Sequence, residues 1–288
     1  MNKQRILIEG IGGIGGVMAA KLIQSGYQPT LVTNNPALTE AIQQRGLQIT
    51  EGEYSYSVQA PDTYTDLEDV PSGEFDAAYL IMKAQNVVDA ARRTITLLKP
   101  EGYVVTFQNG IVEDAVAEAI DKERVIGGII GWGGTMHTPG VYERTTGGNI
   151  HLGELDGKVS EQLKLLAKAC ETCMPVVMTD NIRGALWSKL AINCTITTIG
   201  ALTGDTLGEL VKDARIRKVF LRTYGEVVDT AEAAGRDAGE NRHQPEAAVS
   251  AARGELSASS GQGCAGAGGR RALRRCEIVQ PAKSGTRT

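Results

Sequence analysis

The sequence predicts an α/β fold, a doubly wound sheet with a helical domain after it, on three observations. Strand-like and helix-like segments alternate through residues 1–180, the pattern of a parallel sheet with helices on both faces. A glycine-rich turn joins the first strand to the first helix. From Asn181 the apolar period becomes helical and stays so to about Ala234.

The elements follow in order. Residues 5–9 (RILIE) read as a buried strand, and glycines follow at once. The next segment, VMAAKLIQSG, is a helix that Gly26 closes as a C-cap. A second strand lies near YQPTLVTN, and the helix PALTEAIQQRG again ends at a glycine, Gly46. LQIT and YSYSVQA form a strand or hairpin. FDAAYLIMK (75–83) is a strand, NVVDAARRTITLL a helix, YVVTFQNG a strand and ERVIGGIIGWGG another. VYERTTGGNIHLGEL (141–155) is expected to supply antiparallel strands at the far edge of the sheet.

Gly10, Gly12 and Gly15 form G-x-G-x-x-G between the first strand and the first helix. The first glycine permits a tight turn, the second lets backbone approach a pyrophosphate, and the third lets the helix pack on the strand. The helix N-terminus then stabilises the phosphate charge. The segment Gly10, Ile11, Gly12, Gly13, Ile14, Gly15 is therefore the expected cofactor-binding turn of a Rossmann-type domain. An acid at the end of the second strand would hold the ribose 2′-hydroxyl of NAD. Thr33, Asn34 and Asn35 stand there instead. The absence of an acid permits NADP, with the hydroxyl and amides as donors to a 2′-phosphate.

Bulk properties exclude other classes. The chain has 288 residues, 42% of them hydrophobic, enough for two domains with cores. A net charge of −4 gives no reason to expect nucleic acid. No apolar run is long enough to span a membrane, and no secretory signal is visible at the N-terminus, so a cytoplasmic protein is expected. Cys170 and Cys173 make a CxxC, but no second pair exists, and His137, His151 and His243 are not at ligand spacing. No metal is expected, and Cys194 reads as a core thiol.

The segment GALWSKLAINCTITTIGALTG places Lys189, Asn193 and Thr197 at i, i+4 and i+8, on one helix face. Leu186, Leu190 and Cys194 form a neighbouring stripe that packs. A lysine so placed is a sensible acid for polarising a ketone while hydride arrives. From spacing alone, a lysine snorkelling at a helix edge fits equally well.

Together the early GIGGIGG, then KAQN, TFQNG and WSKLAINC resemble, in order and spacing, the ketopantoate reductases over residues 5–234. The resemblance implies reduction of 2-dehydropantoate to (R)-pantoate with NADPH, on the route to pantothenate and coenzyme A. It implies Lys189 as the catalytic lysine and Asn193 as a substrate-binding asparagine. It places Asn109 near both nicotinamide and substrate, and Lys83 near the cofactor. Thr197 stands where the family often has a second asparagine, so that substrate contact is altered. The partners implied are a small 2-keto acid and, as assembly, a homodimer.

The character changes after residue 235. Residues 236–288 hold no aromatic residue and only Val249, Leu256, Leu273, Ile278 and Val279 among the larger aliphatics, with 9 Lys+Arg against 5 Asp+Glu. Such a segment cannot offset its own ordering entropy. The family's serine-rich and acidic C-terminal segments are absent, and the tail reads as the product of a shifted frame. The expected organisation is thus a Rossmann domain (1–180), a truncated, all-helical substrate and dimerisation domain (181–235), and a disordered non-family tail (236–288). Turnover and dimerisation are expected to be compromised by it. A related oxidoreductase of another branched 2-keto acid and a non-catalytic nucleotide-binding protein are the alternatives.

Overall fold

The computed structural model describes residues 3–234 apart from 61, 72, 205, 206 and 211. The expected tail, 236–288, lies outside the described residues. The chain divides into two compact units, with the break between Ile182 and Arg183.

The first unit begins with β1 (Ile6–Glu9), α1 (Gly13–Gln24), β2 (Thr30–Val32) and α2 (Pro36–Arg45). The hairpin β3 (Leu47–Glu51) and β4 (Tyr54–Val58) leads to β5 (Asp62–Tyr64), β6 (Phe75–Leu80) and α3 (Val87–Thr94). Then come β7 (Leu98–Thr106), α4 (Glu113–Ile120), β8 (Val125–Ile130), β9 (Gly134–Thr138) and β10 (Val141–Arg144). It closes with β11 (Ile150–Glu154), α5 (Glu161–Cys170) and β12 (Val176–Met178). Eight strands form the main sheet in the order β12-β11-β8-β7-β6-β1-β2-β5. Its neighbours are parallel except β8 and β11.

Strand alternation decides the layers. Ile6 and Ile8 of β1 join Val17, Met18 and Leu22 of α1 in one core. Leu7, between them, joins Val87 and Ala91 of α3 and Val116 of α4 in the other. Helices therefore cover both faces, as doubly wound sheets require. The order of strands reverses at β1, with β2 on one side and β6 on the other. Such a switch point opens a crevice at the carboxyl ends of the strands.

Two parts of the sequence reading are corrected. The segment 141–155 does not lie wholly at the edge of the main sheet. Only β11 joins it, and β12 lies outside β11. β10 instead enters a second sheet, ordered β4-β3-β10-β9. The reason is the fully buried Tyr142, whose ring fills the space beside Gly16, where any Cβ would collide with it. Glycine at 16 admits β10 against α1. The strand expected over 75–83 also stops at Leu80. The Leu80 and Met82 carbonyls find a side-chain donor, Gln108, rather than a longer ladder. β5, β9 and β12 were not expected; at three to five residues they are too short to show alternation.

In the second unit α6 (Ile182–Ile192) passes through a π turn (Asn193–Thr197) into α7 (Thr198–Thr203). Gly204, at φ +75°, closes it in the left-handed region. α8 (Leu207–Leu210) and α9 (Ala214–Ala233) follow, and Asp213 Oδ1 caps α9 by accepting from Arg215 N at 2.8 Å. Leu210 and Phe220 form a small core with Ile199 and Ile216. Among the described residues no helix is long and apolar enough to cross a membrane.

Candidate active site

The glycine turn is shaped by what surrounds it. Gly10 adopts φ +100°, its N–H bonds Val32 O at 3.0 Å, and a Cβ there would come within 2.6 Å of Met82 N. A Cβ at Gly15 would collide with the carbonyl of Gly10, so α1 packs onto the turn only with glycine at that position. Gly12 differs: it is exposed, and none of the described residues lies within 4 Å of where its Cβ would point. No side chain caps the first turn of α1. Free N–H groups facing an open space form a cradle for an anionic pyrophosphate. Ile11 is buried in the core and the partly buried Ile14 packs against it, so Ile11 offers a cofactor only its backbone.

The spacing G-x-G-x-x-G left Gly13 and Gly16 unexplained. A Cβ at Gly13 would collide with Gly134 O of β9, and one at Gly16 with the Tyr142 ring of β10. The Tyr142 hydroxyl donates to Ile11 O at 3.1 Å. The second sheet thus braces the turn, a relationship between distant segments that no local motif shows.

The end of β2 carries a chain of hydroxyl groups. Thr65 Oγ1 donates to Thr39 Oγ1 at 2.9 Å, and Thr39 Oγ1 lies 2.7 Å from Thr33 Oγ1. Thr33 Oγ1 in turn donates to Asn35 O at 3.0 Å. Each hydroxyl has a single proton, so in this arrangement the buried Thr33 spends its own within the chain. The Asn35 carboxamide oxygen accepts from Ala37 N and Leu38 N as the N-cap of α2, which leaves its NH2 group as a donor. Asn34, at φ +54°, and Asn35 are both exposed.

Lys83 and Asn109 are both exposed, on the segments that leave β6 and β7. Those segments are tied by Gln108, whose Nε2 donates to Leu80 O at 2.9 Å and Met82 O at 3.1 Å. Below Asn109 the buried Glu113 carboxylate accepts from Thr106 Oγ1 and Val112 N, each at 2.9 Å. Burial pushes its pKa above the ordinary carboxylate value. Glu9, before the glycine turn, is raised for the same reason and accepts from Thr94 Oγ1 at 2.8 Å. Gln108 and Glu113 were not singled out in the sequence, because burial against neighbouring strands leaves no periodic trace.

In the second unit Lys189 and Asn193 are partly buried on α6 and at the start of the π turn. Among the described residues no group pairs with the Lys189 ammonium, and burial lowers its pKa. Thr197 is exposed. The π turn, in which Thr198 N bonds Asn193 O, alters the register that the i, i+4, i+8 spacing assumed. The shared face therefore holds for Lys189 and Asn193 but does not bury Thr197 with them. Single π turns inside helices recur at functional sites.

Cys170 and Cys173 are buried core thiols, the second pushed up to about 12 by burial. Cys194 is only partly buried, not the core thiol expected. Among the described residues no cluster of His, Cys, Asp or Glu could hold a metal ion.

Comparison with known proteins covers both units. The family model described as Ketopantoate reductase PanE/ApbA matches residues 6–157. Its C-terminal counterpart matches residues 181–261, past the boundary expected at 235. A 2-dehydropantoate 2-reductase of Mesorhizobium japonicum is 32% identical over 237 residues, covering 74% of this chain and 71% of the relative. One of Halobacterium salinarum is 26% identical, covering 80% and 76%. The solved 2-dehydropantoate 2-reductase of Methylococcus capsulatus superposes with a TM-score of 0.73 at 25% identity, covering 86% and 79%. A D-mandelate dehydrogenase solved with NADH and anilino(oxo)acetate gives a TM-score of 0.77 at 20% identity, covering 87% and 79%, a likeness of fold.

Proposed function

The chain belongs to the ketopantoate reductase family, and we propose that it reduces 2-dehydropantoate to (R)-pantoate with NADPH, in pantothenate and coenzyme A biosynthesis. The observation that carries the reading is the family match over both units, with Lys189 and Asn193 one turn apart on a partly buried helix face.

The residues present fit a dinucleotide. The open space at Gly12 and the uncapped first turn of α1 would hold the pyrophosphate. Asn34 and the absence of an acid at residues 33–35 favour NADPH over NADH, although the Thr33 hydroxyl is spent elsewhere. A reduced nicotinamide supplies a hydride to the ketone carbon. Lys189 hydrogen-bonds the ketone oxygen and gives it a proton as charge develops there. Its lowered pKa makes it a stronger acid than a solvated lysine. Asn193 orients the substrate from the next turn, and Asn109 and Lys83 act from the ends of β7 and β6. The partner in this reading is a small 2-keto acid, and a homodimer is the assembly.

The reading also includes impaired turnover, since residues 236–288 lack aromatic side chains and hold few large aliphatics. The test is NADPH consumption on addition of 2-dehydropantoate, with NADH in parallel. No turnover of the keto acid under single-turnover conditions sinks the substrate assignment. Equal or tighter NADH binding sinks the NADPH preference. Turnover equal to that of the Mesorhizobium japonicum relative removes the impairment.

A further inference from the structure

β6 and β7 run parallel, and their last ladder bond joins Phe107 N to Leu80 O at 3.2 Å. Beyond it the strands part, β6 toward Met82 and Lys83, β7 toward Gln108 and Asn109. The Gln108 side chain crosses that gap. It is 6% exposed, and its Nε2 donates to Leu80 O and Met82 O, with Met82 Sδ at 3.7 Å. Among the described residues nothing pairs with its buried Oε1.

The Met82 peptide, which Gln108 Nε2 holds from one side, is also in contact on its other side. The Met82 backbone packs against Gly10, and Ile81 N bonds Glu9 O at 2.8 Å. Met82 is thus held between the glycine turn and Gln108. One chain of contacts runs from the phosphate cradle through Met82 to Gln108 and its neighbour Asn109, within a single compact unit.

We propose that Gln108 is a positioning residue, fixing the Lys83 and Asn109 segments relative to each other and to the glycine turn. The proposal rests on the reading of these segments as the nicotinamide end of a dinucleotide site. An amide suits the task because two N–H groups of one nitrogen reach two carbonyls of the neighbouring segment. A carboxylate would repel both carbonyls, and an aliphatic side chain would leave Met82 O without its donor.

Two variants test it. In Gln108→Leu, hydrogen exchange of the ligand-free protein rises at residues 81–86 and 108–111 and not in the rest of the first unit. Binding of ADP-ribose, which lacks the nicotinamide and rests on the glycine turn and the end of β2, is unchanged, while NADPH fluorescence in the complex reverts toward that of free NADPH. Turnover falls by about 10- to 100-fold through kcat, as for a displaced reacting group. In Gln108→Glu the defect shrinks as pH falls, since a protonated carboxyl regains one donor, whereas the wild type shows no such recovery.

Unchanged exchange at both segments, or losses in ADP-ribose binding that match those in NADPH binding, would overturn the proposal. So would Gln108→Glu with wild-type fluorescence and exchange at neutral pH. The exchange and ADP-ribose arms need no keto acid. A wild type that fails to reduce 2-dehydropantoate therefore sinks the substrate reading and leaves this test standing.

Discussion

The hydroxyl of Tyr142 donates to the carbonyl of Ile11 at 3.1 Å, joining residues 131 positions apart. That carbonyl belongs to the glycine turn, and the same tyrosine ring occupies the space that Gly16 leaves open. The second sheet therefore holds the turn by one hydrogen bond and one packing contact, and the two can be separated.

Tyr142→Phe removes the bond and keeps the ring. The expected cost is about 1 kcal/mol of stability, the usual net worth of a neutral hydrogen bond. The Ile11 peptide gains freedom where a pyrophosphate would sit, so dinucleotide affinity should fall by severalfold more than the melting shift explains. Fluorescence titration beside thermal melting checks this. A stability loss with unchanged affinity would make Tyr142 purely structural.

Gly12 and Gly15 should fail in opposite ways. A side chain at Gly12 meets none of the described residues within 4 Å, and aspartate there is a good N-cap for α1. Gly12→Asp should keep or raise the melting temperature, yet abolish dinucleotide binding by placing a negative charge in the cradle. Gly15→Ala drives a methyl group into the Gly10 carbonyl and should lower the yield of folded protein. Binding by folded Gly12→Asp would refute the cradle.

Glu113 sets a pH dependence. Its carboxyl is buried and its pKa raised above the ordinary 4.5, so the folded state holds its proton where the unfolded state has lost it. Stability from this group is then fully present below about 4.5 and is lost as pH rises toward the folded value. Glu9 acts in the same direction. Glu113→Gln should flatten the fall in melting temperature above 4.5 relative to the wild type. Identical slopes in the two proteins would assign the dependence to other groups.

These residues also show what was legible beforehand. The alternation of elements, the glycine turn and the helical stretch after Asn181 lie in local pattern, and the fold class follows from them. The alignment of Lys189 with Asn193 was readable because both precede or open the π turn. The exposure of Thr197 was not, because a π turn leaves no residue signature. Thr33 reads as a donor until Thr39 and Thr65, from two other segments, complete its hydroxyl chain. Gln108 stands inside TFQNG, yet its contacts are with carbonyls of the neighbouring segment, Leu80 O and Met82 O.

Lys189 carries the chemical step in the proposed reaction, and its burial gives a test that packing alone would not. A proton donor works only while protonated, so turnover must fall as pH rises through its folded pKa. Burial lowers that pKa, which puts the alkaline limb below the ordinary 10.5. Lys189→Ala should reduce turnover by about 10²- to 10⁴-fold, the range for a positioned acid. Dinucleotide affinity should not change, because the cradle is built from other residues. The variant should also lose the alkaline limb, leaving a profile flat across the range where the wild type declines. Turnover retained to within about tenfold, well short of what a positioned acid supplies, would make Lys189 a helix-edge lysine and move the proton donor elsewhere. A surviving alkaline limb in Lys189→Ala would do the same, since the titrating group would then still be present.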